Sequence, residues 1–385
     1  MKATGPWIDA PATQAVCARL EDAGHQALLV GGCVRNALLS VEVNDIDIAT
    51  DAHPDQVIAL CEAVGRKVVP TGIEHGTVTV VEDSVPFEIT TFRKDVETDG
   101  RRATVVFANN TEDDARRRDF TMNALYARRD GEIIDPLGGL PDLKARCIRF
   151  IDDAEQRIRE DYLRILRFFR FFAHFGDHAQ GIDAEGLAAC AALADRIDGL
   201  SRERVVAEML NLLSAPDPSL AVASMEQSGV LQRAVPGASQ AALAPLVHIE
   251  ANLGLAPDPL RRLASLGFKD LEAALRLSKK QMKQVLSLRE RALSSNSPEE
   301  LGYNSEVGVA ISALALRAAL LEQPIDPDAK DKITLGAQAV FPIKAVDLMP
   351  KLEGKALGDA LAMLERDWIA SGFSLSRAEL LAKIP

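Results

Sequence analysis

Two carboxylates one residue apart, in the run Asp45-Ile46-Asp47-Ile48, are the residues of this chain best suited to chemistry. Strand side chains alternate, so on a strand Asp45 and Asp47 share one face while Ile46 and Ile48 take the other. A carboxylate pair of this kind suits Mg²⁺, which is held by one or two carboxylates plus substrate phosphates. Shortly before it runs Leu28-Leu29-Val30-Gly31-Gly32-Cys33-Val34-Arg35, an apolar strand entering a double glycine and a short helix. Glycines let a backbone come close to a triphosphate, and the following helix offers free N–H groups. The layout suits metal-assisted transfer of a nucleotidyl group. Taken alone, an Asp-x-Asp or a Gly-Gly is most often an ordinary turn; their order and apolar flanks give them weight.

Two further constellations carry charge in a patterned way. Arg116-Arg117-Arg118-Asp119-Phe120-Thr121-Met122-Asn123-Ala124-Leu125 is a basic cluster leading into a predicted helix. Asp119 could simply cap that helix at the positive end of its dipole. Alternatively, Arg118 meets a phosphate and Asp119 a ribose hydroxyl. In Glu160-Asp161-Tyr162-Leu163-Arg164-Ile165-Leu166-Arg167-Phe168-Phe169-Arg170-Phe171, helical spacing places Asp161, Arg164 and Arg167 along one face. An Asp-Arg pair on a helix surface is worth a few tenths of a kcal/mol and needs no function. It also has a chemical reading. Cytosine and adenine both present an amino group beside a ring-nitrogen acceptor, matching a carboxylate and a guanidinium. Uracil and guanine would set a carbonyl against the carboxylate, leaving buried polar groups unpaired at about 1–3 kcal/mol each. One such pair can therefore accept C and A and reject U and G.

The elements that position these residues fall into two kinds. Before about Ile151 the pattern is mixed: a helix from Ala12 to Ala23 with Asp9 as a cap-like start, strand Gln26 to Val30, helix Cys33 to Leu39, strand Asp45 to Ala49, and a helix from Pro54 to Val64. Strands at Lys67 to Pro70, Gly76 to Val81 and Phe87 to Phe92, joined by short turns, predict an antiparallel portion. Asp135-Pro136-Leu137-Gly138-Gly139 reads as a tight structural turn. Beyond Ile151 helical periods dominate and prolines cut them into short helices. The fold class is thus an α+β head, a mixed sheet with helices, followed by an all-helical remainder.

The chain has 385 residues, of which 47% are hydrophobic, enough for two or more domains. Its formal net charge of -12 disfavours non-specific coating of nucleic acid but leaves room for a local basic groove. Five cysteines without a Cys-x-x-Cys pair suggest neither a disulfide framework nor structural zinc. With no signal peptide and no apolar run of membrane-spanning length, no membrane association and a cytoplasmic location are expected.

Together, Gly31-Gly32-Cys33-Val34-Arg35, Asp45-Ile46-Asp47, Arg117-Arg118-Asp119-Phe120-Thr121-Met122-Asn123-Ala124 and Glu160-Asp161-Tyr162-Leu163-Arg164 resemble the bacterial class II tRNA nucleotidyltransferase/poly(A) polymerase family. Lesser matches are Thr71-Gly72-Ile73-Glu74-His75-Gly76-Thr77, Ser201-Arg202-Glu203-Arg204 and Gly354-Lys355-Ala356-Leu357-Gly358 with Trp368, so the likeness spans nearly the whole chain. The resemblance implies a catalytic head over 1–145, a helical neck over 146–225 that recognises the nucleotide base, and a helical body and tail over 226–385 that binds tRNA. It further implies rebuilding of the tRNA 3′-terminal CCA from CTP and ATP without a template, releasing pyrophosphate. By position, Asp45 and Asp47 would hold two Mg²⁺ ions. Gly32 and Arg35 would contact the triphosphate and Arg118 and Asp119 the phosphate and sugar, with Gly31 and Asn123 also in the nucleotide-binding set. Asp161 and Arg164 would read the base, supported by Arg167 and Arg170. Glu88, on its predicted strand, is either a third catalytic carboxylate or a solvated charge. Asn36 stands where the family usually has Asp, which keeps the acceptor oxygen and removes the charge.

Within that family, full CCA addition, CC addition and poly(A) addition share these motifs. The polar loop from Arg93 to Thr104 resembles one associated with the switch from C to A addition, which disfavours a CC-only enzyme; it also reads as an ordinary mobile surface hairpin. The tail, lacking an extended basic C-terminus, disfavours poly(A) addition. The absence of a His-Asp doublet leaves no expectation of a phosphohydrolase appendage. The helical half would then hold the tRNA acceptor stem and elbow by shape and phosphate contacts. Arg276, Lys279, Lys280 and Lys283, with Arg289 and Arg291 nearby, form a candidate basic face or an ordinary solvated one, with Met282, Val285 and Leu286 assigned to core. From other classes, a silent tRNA-binding protein would lack the carboxylate pair. A small-molecule nucleotidyltransferase would not need so large a helical remainder.

Overall fold

The computed structural model describes residues 1–99, 102–268, 275–349 and 351–384. They form two compact units, Met1–Pro236 and Gly237–Pro385.

In the first unit, a one-turn helix Pro6–Asp9 precedes α1 (Pro11–Asp22). Asp9 lies inside the first of these and does not cap the second, whose start is set by Pro11 at N1. Then follow β1 (Leu28–Val30), α2 (Gly32–Leu38), β2 (Ile46–Thr50), α3 (Pro54–Glu62), β3 (Lys67–Gly72), β4 (Thr77–Glu82) and β5 (Val85–Thr91). Next come β6 (Arg93–Asp99), β7 (Arg102–Phe107), α4 (Thr111–Arg116), β8 (Tyr126–Ala127) and β9 (Ile133–Ile134). Seven strands make one mixed sheet in the order β3-β4-β5-β2-β1-β8-β9. The expected antiparallel portion is β3-β4-β5, whereas β2 runs antiparallel to β1 and parallel to β5. This central place puts Asp47 opposite Glu88. Along β2, Ile46 and Ile48 are buried while Asp45 is exposed and Asp47 half-buried, so the two acids share the open face.

The segment from Arg93, read as a long polar loop or a surface hairpin, is a two-stranded antiparallel ribbon of β6 and β7. Its charged residues hid a β-branched second half, Thr104-Val105-Val106. The helix expected after Asp119 is a single 3-10 turn, Thr121–Asn123.

The head passes into helices at α5 (Ala154–Glu160), capped by Asp153, whose side chain accepts the Gln156 N–H at 2.7 Å. Asp161 then takes extended dihedrals, and a new helix, α6 (Arg164–Phe175), begins. The expected continuous helix through Glu160 and Arg164 is therefore broken. Asp161 leaves the helix and accepts the Leu163 N–H at 3.1 Å and, through its main-chain carbonyl, the Arg164 N–H at 2.9 Å. On α6, Ile165, Leu166, Phe168, Phe169 and Phe172 are buried. Phe168 lies 5.3 Å from Phe150 and 6.3 Å from Phe120, ring centre to ring centre, which joins α6 to the head. Each such ring contributes about 1.5–3 kcal/mol by burial. α7 (Arg202–Leu213) packs alongside α6.

Among the described residues, the regular elements of the second unit are all helices. Its interior holds Glu250 between Arg261 and Arg262, at 2.7 and 2.9 Å, all three buried. Helices Pro298–Tyr303 and Ala329–Gln338 approach so closely that a Cβ on Gly302 would fall 2.0 Å from the Ile333 carbonyl oxygen. A last cluster forms around Trp368, with Tyr303, Phe341 and Phe373 against it. α8 (Lys279–Leu293) starts with a Ser278/Gln281 capping box. Val285 of α8 is buried as expected; Leu286, expected in the core, is 42% exposed.

Candidate active site

The turn between β1 and α2 is where the site begins. Gly31 has φ 69 and ψ -117, a conformation closed to residues with a Cβ, and an added Cβ would lie 3.2 Å from Arg118 Nη1. The Arg118 guanidinium thus rests against the turn. Beneath it, the Cys33 Sγ donates to the Val30 carbonyl at 3.3 Å and reaches the Asp47 carbonyl at 3.9 Å, tying α2 to the acid-bearing strand.

Among the described residues, the carboxylates of Asp45 and Asp47 take no hydrogen bond or ion pair. Burial, then the neighbouring Glu88 and Asp45, push the Asp47 carboxyl up to about 6, against the opposing pull of Arg118. An uncommitted acid raised this way is a poor solitary anion and a good cation ligand. Among the described residues no group of three metal-ligating side chains converges. The donor set therefore fits a hard cation that takes its remaining oxygens from a substrate.

Arg118 is itself anchored. The buried Asp114 accepts Arg117 Nε at 2.8 Å, Arg118 Nη2 at 3.1 Å and the Tyr126 hydroxyl at 2.7 Å. Burial alone would raise this carboxyl, but Arg117, Arg118 and Tyr126 hold it well below the usual carboxylate range.

Arg35 is 8% exposed. Its Nη1 donates to Asn123 Oδ1 at 2.6 Å, and its Nε and Nη2 donate to Asn36 Oδ1 at 3.1 and 2.8 Å. Asn36 thus orients the arginine with a neutral acceptor. Asn123 in turn donates to Asp119 Oδ1 at 2.9 Å, and Asp119 Oδ2 accepts Arg167 Nε at 2.8 Å. Burial opposes the Asp119 charge, yet Arg167 and Asn123 bring the carboxyl down to about 2. Asp119 also accepts the Phe120 N–H at 2.9 Å, so it orders the 3-10 turn as well as the arginine. Arg170 Nε lies 3.0 Å from Glu208 Oε2 on α7.

The structure brings Gly31, Gly32, Arg35, Asn123, Asp119, Arg167 and Arg170 into one connected wall, and Asp45, Asp47 and Glu88 onto one sheet face with Arg118 beside them. It does not pair Asp161 with Arg164. Asp161 Oδ2 accepts Arg204 Nη2 at 2.8 Å, both side chains about one third exposed. Arg164 donates to Glu160 at 2.7 Å and to the carbonyls of Arg157 and Arg117, each at 2.8 Å. Arg204 and Glu208 were not assigned from sequence. Their spacing of four along one helical run was the signal available. In the second unit, Arg276, Lys279 and Lys283 line an open groove with Met282 and Leu286, and Lys280, Lys283 and Arg291 line another. Arg289 turns inward, donating to the Ala264 carbonyl at 2.7 Å.

Paired strand carboxylates, a glycine turn and an arginine wall on a mixed sheet are the layout of a nucleotidyltransferase. Comparison with known proteins agrees. Residues 27–149 match the poly A polymerase head domain, and 181–241 match the probable RNA and SrmB-binding site of polymerase A. The mitochondrial CCA tRNA nucleotidyltransferase 1 of Mus musculus is 32% identical over 377 residues, covering 94% of this chain and 86% of that protein. The CCA-adding enzyme of Leuconostoc mesenteroides is 42% identical over 225 residues, 57% of this chain and 54% of that protein. Among solved structures, the Bacillus stearothermophilus CCA-adding enzyme in complex with CTP aligns with a TM-score of 0.69 at 27% identity, covering 96% of this chain and 94% of that one. The chain belongs to the tRNA nucleotidyltransferase/poly(A) polymerase family.

Proposed function

We propose that this protein is a CCA tRNA nucleotidyltransferase, which adds the 3′-terminal CCA to tRNA from CTP and ATP without a template and releases pyrophosphate. The observation that carries the reading is the uncommitted pair of Asp45, just ahead of β2, and Asp47 on it, beside Glu88 and Arg118, in a chain whose relatives are named for this activity.

Asp45 and Asp47 are the ligands we assign to Mg²⁺, with Glu88 adjoining Asp47. Bound there, the metal would acidify the tRNA 3′-hydroxyl and offset charge on the departing pyrophosphate. In the reaction the 3′-oxygen forms a bond to the α-phosphorus, the bond to the pyrophosphate oxygen breaks, and the hydroxyl proton leaves. Gly31 and Gly32 give the triphosphate a turn without side chains. Arg118, locked by Asp114, and Arg35, locked by Asn36 and Asn123, supply fixed positive charge that needs no rearrangement on binding. Asp119 and Asn123 face the sugar. For base selection, Asp161 exchanges its Arg204 contact for the exocyclic amine of C or A, and Arg164 donates to the ring nitrogen. Arg167 and Arg170 support the nucleotide from α6.

The proposed division is a head over 1–145, a neck over 146–225, and a body and tail over 226–385 that takes the acceptor stem and elbow, with Arg276, Lys279, Lys280 and Lys283 as phosphate contacts. Among the described residues no helix is long and apolar enough to cross a membrane. All five cysteines are free thiols, in keeping with the proposed cytoplasmic location.

The test is incubation with a tRNA transcript ending before CCA, with CTP, ATP or both. Two C residues from CTP alone, and a single further A when both are present, support the proposal. Continued A addition indicates poly(A) synthesis, and no addition refutes the reading.

A further inference from the structure

Among the described residues, three arginines share one aromatic ring. The guanidinium carbons of Arg35, Arg167 and Arg170 lie 5.1, 5.3 and 4.9 Å from the centre of Phe171. Arg35 is also 4.1 Å from the Phe175 ring. Three guanidiniums this close repel one another. Among the described residues two acids pair with these arginines: Asp119, bound to Arg167, and Glu208, next to Arg170 and 4.0 Å from Arg167; Asp161, which also acts on Arg167, is paired with Arg204. Arg35 is held by the amide oxygens of Asn36 and Asn123, which orient it without cancelling its charge. One positive charge is thus left over inside a half-closed wall. Arg170 Nε and Glu208 Oε2 lie 3.0 Å apart as an ion pair, without a well-angled hydrogen bond between them.

An aromatic face carries partial negative charge and attracts cations within about 6 Å of its centre. Unlike a carboxylate, it does so without neutralising them. We propose that Phe171 is a positioning residue for nucleotide binding: its ring gathers Arg35, Arg167 and Arg170 at one point while leaving their surplus charge free for the triphosphate. This rests on the assignment of those arginines to the nucleotide. Phe171 is 5% exposed, so a purely packing role must be told apart from an electrostatic one. Phe168, one turn back on α6, supplies the contrast: it is fully buried among Phe120, Phe150 and Phe169.

The experiment replaces Phe171 with mono-, di- and trifluorophenylalanine, which keep the ring's shape and drain its face of negative charge. The full-length enzyme is assayed for C addition to truncated tRNA. The KM for CTP should rise stepwise to about tenfold at three fluorines, with kcat and melting temperature unchanged. The same series at position 168 should leave KM flat. Phe171→Leu, which keeps an apolar side chain but no π face, should raise KM by at least as much. A flat KM across the 171 series, with wild-type turnover intact, overturns the inference and spares the functional reading. Absence of turnover in the wild type overturns that reading instead.

Discussion

Asp47→Asn should abolish nucleotide incorporation and yet make the metal-free protein more stable at alkaline pH. Burial, Glu88 and Asp45 raise the Asp47 carboxyl from 3.8 to about 6. Folding therefore favours its protonated form. Below the unfolded value the acid is neutral in both states and costs nothing. As pH rises through about 6, the folded protein must carry a charge that the unfolded chain carries more cheaply. A tenfold change in proton affinity is worth about 1.4 kcal/mol, so at pH 8 the cost approaches about 3 kcal/mol. Screening at the partly exposed side chain lowers this to about 2 kcal/mol. By the same relation roughly half remains at pH 5. Asn keeps the size and loses the charge. In a unit of this size, about 2 kcal/mol corresponds to roughly 4–8 °C in melting temperature. Thermal unfolding with a chelator at pH 8 and pH 5 should show the variant melting higher at pH 8, with the gap narrowing at pH 5. Added Mg²⁺ should raise the wild type at pH 8 and leave the variant nearly unmoved. A variant melting at or below the wild type at pH 8, or a gap independent of pH, would mean that the Asp47 charge is not a burden on the folded state.

Three other substitutions probe the wall around that acid. Gly31→Ala places a Cβ 3.2 Å from Arg118 Nη1 at a φ of 69; it should cost about 1–3 kcal/mol in urea unfolding and raise the KM for both nucleotides. Asp161→Ala should weaken discrimination of CTP over UTP by about tenfold or more in kcat/KM, because the wrong carbonyl no longer meets a carboxylate. An unchanged C/A preference removes Asp161 from base reading. Asp114→Asn loosens Arg117, Arg118 and Tyr126 together. It should cost about 3 kcal/mol at pH 7, measured by denaturant titration. Because Asp114 is held below its usual range, that difference should shrink as pH falls into the acid region.

What could be read from the chain and what could not divide along sequence distance. Gly31-Gly32 and Asp45/Asp47 were legible because strand alternation and a turn act over a few residues, and the sheet placed them as that pattern requires. The break at Asp161 was not legible. Neither proline nor glycine marks it, and Glu160-Asp161-Tyr162-Leu163-Arg164 satisfies helical periodicity throughout. What decides it is tertiary: Arg204, 43 residues on, takes the Asp161 carboxylate, and Arg117 takes Arg164 through its carbonyl. The ribbon of β6 and β7 was legible only as an alternative, a surface hairpin, for a related reason. Its first strand, Arg93-Lys94-Asp95-Val96-Glu97, reads as solvated loop until its partner strand is known. Asn36 was ambiguous as a letter and became plain as geometry, once its side-chain oxygen was seen to accept both N–H groups, Nε and Nη2, of one edge of Arg35.

The proposed metal site is tested most directly by a crystal of the protein soaked with CTP and Mn²⁺, a cation visible by its anomalous scattering. An anomalous peak is expected within coordination distance of both Asp45 and Asp47 and of the CTP phosphate oxygens, with Arg118 and Arg35 facing the triphosphate. A nucleotide bound with those two carboxylates turned away and no metal between them would overturn the assignment.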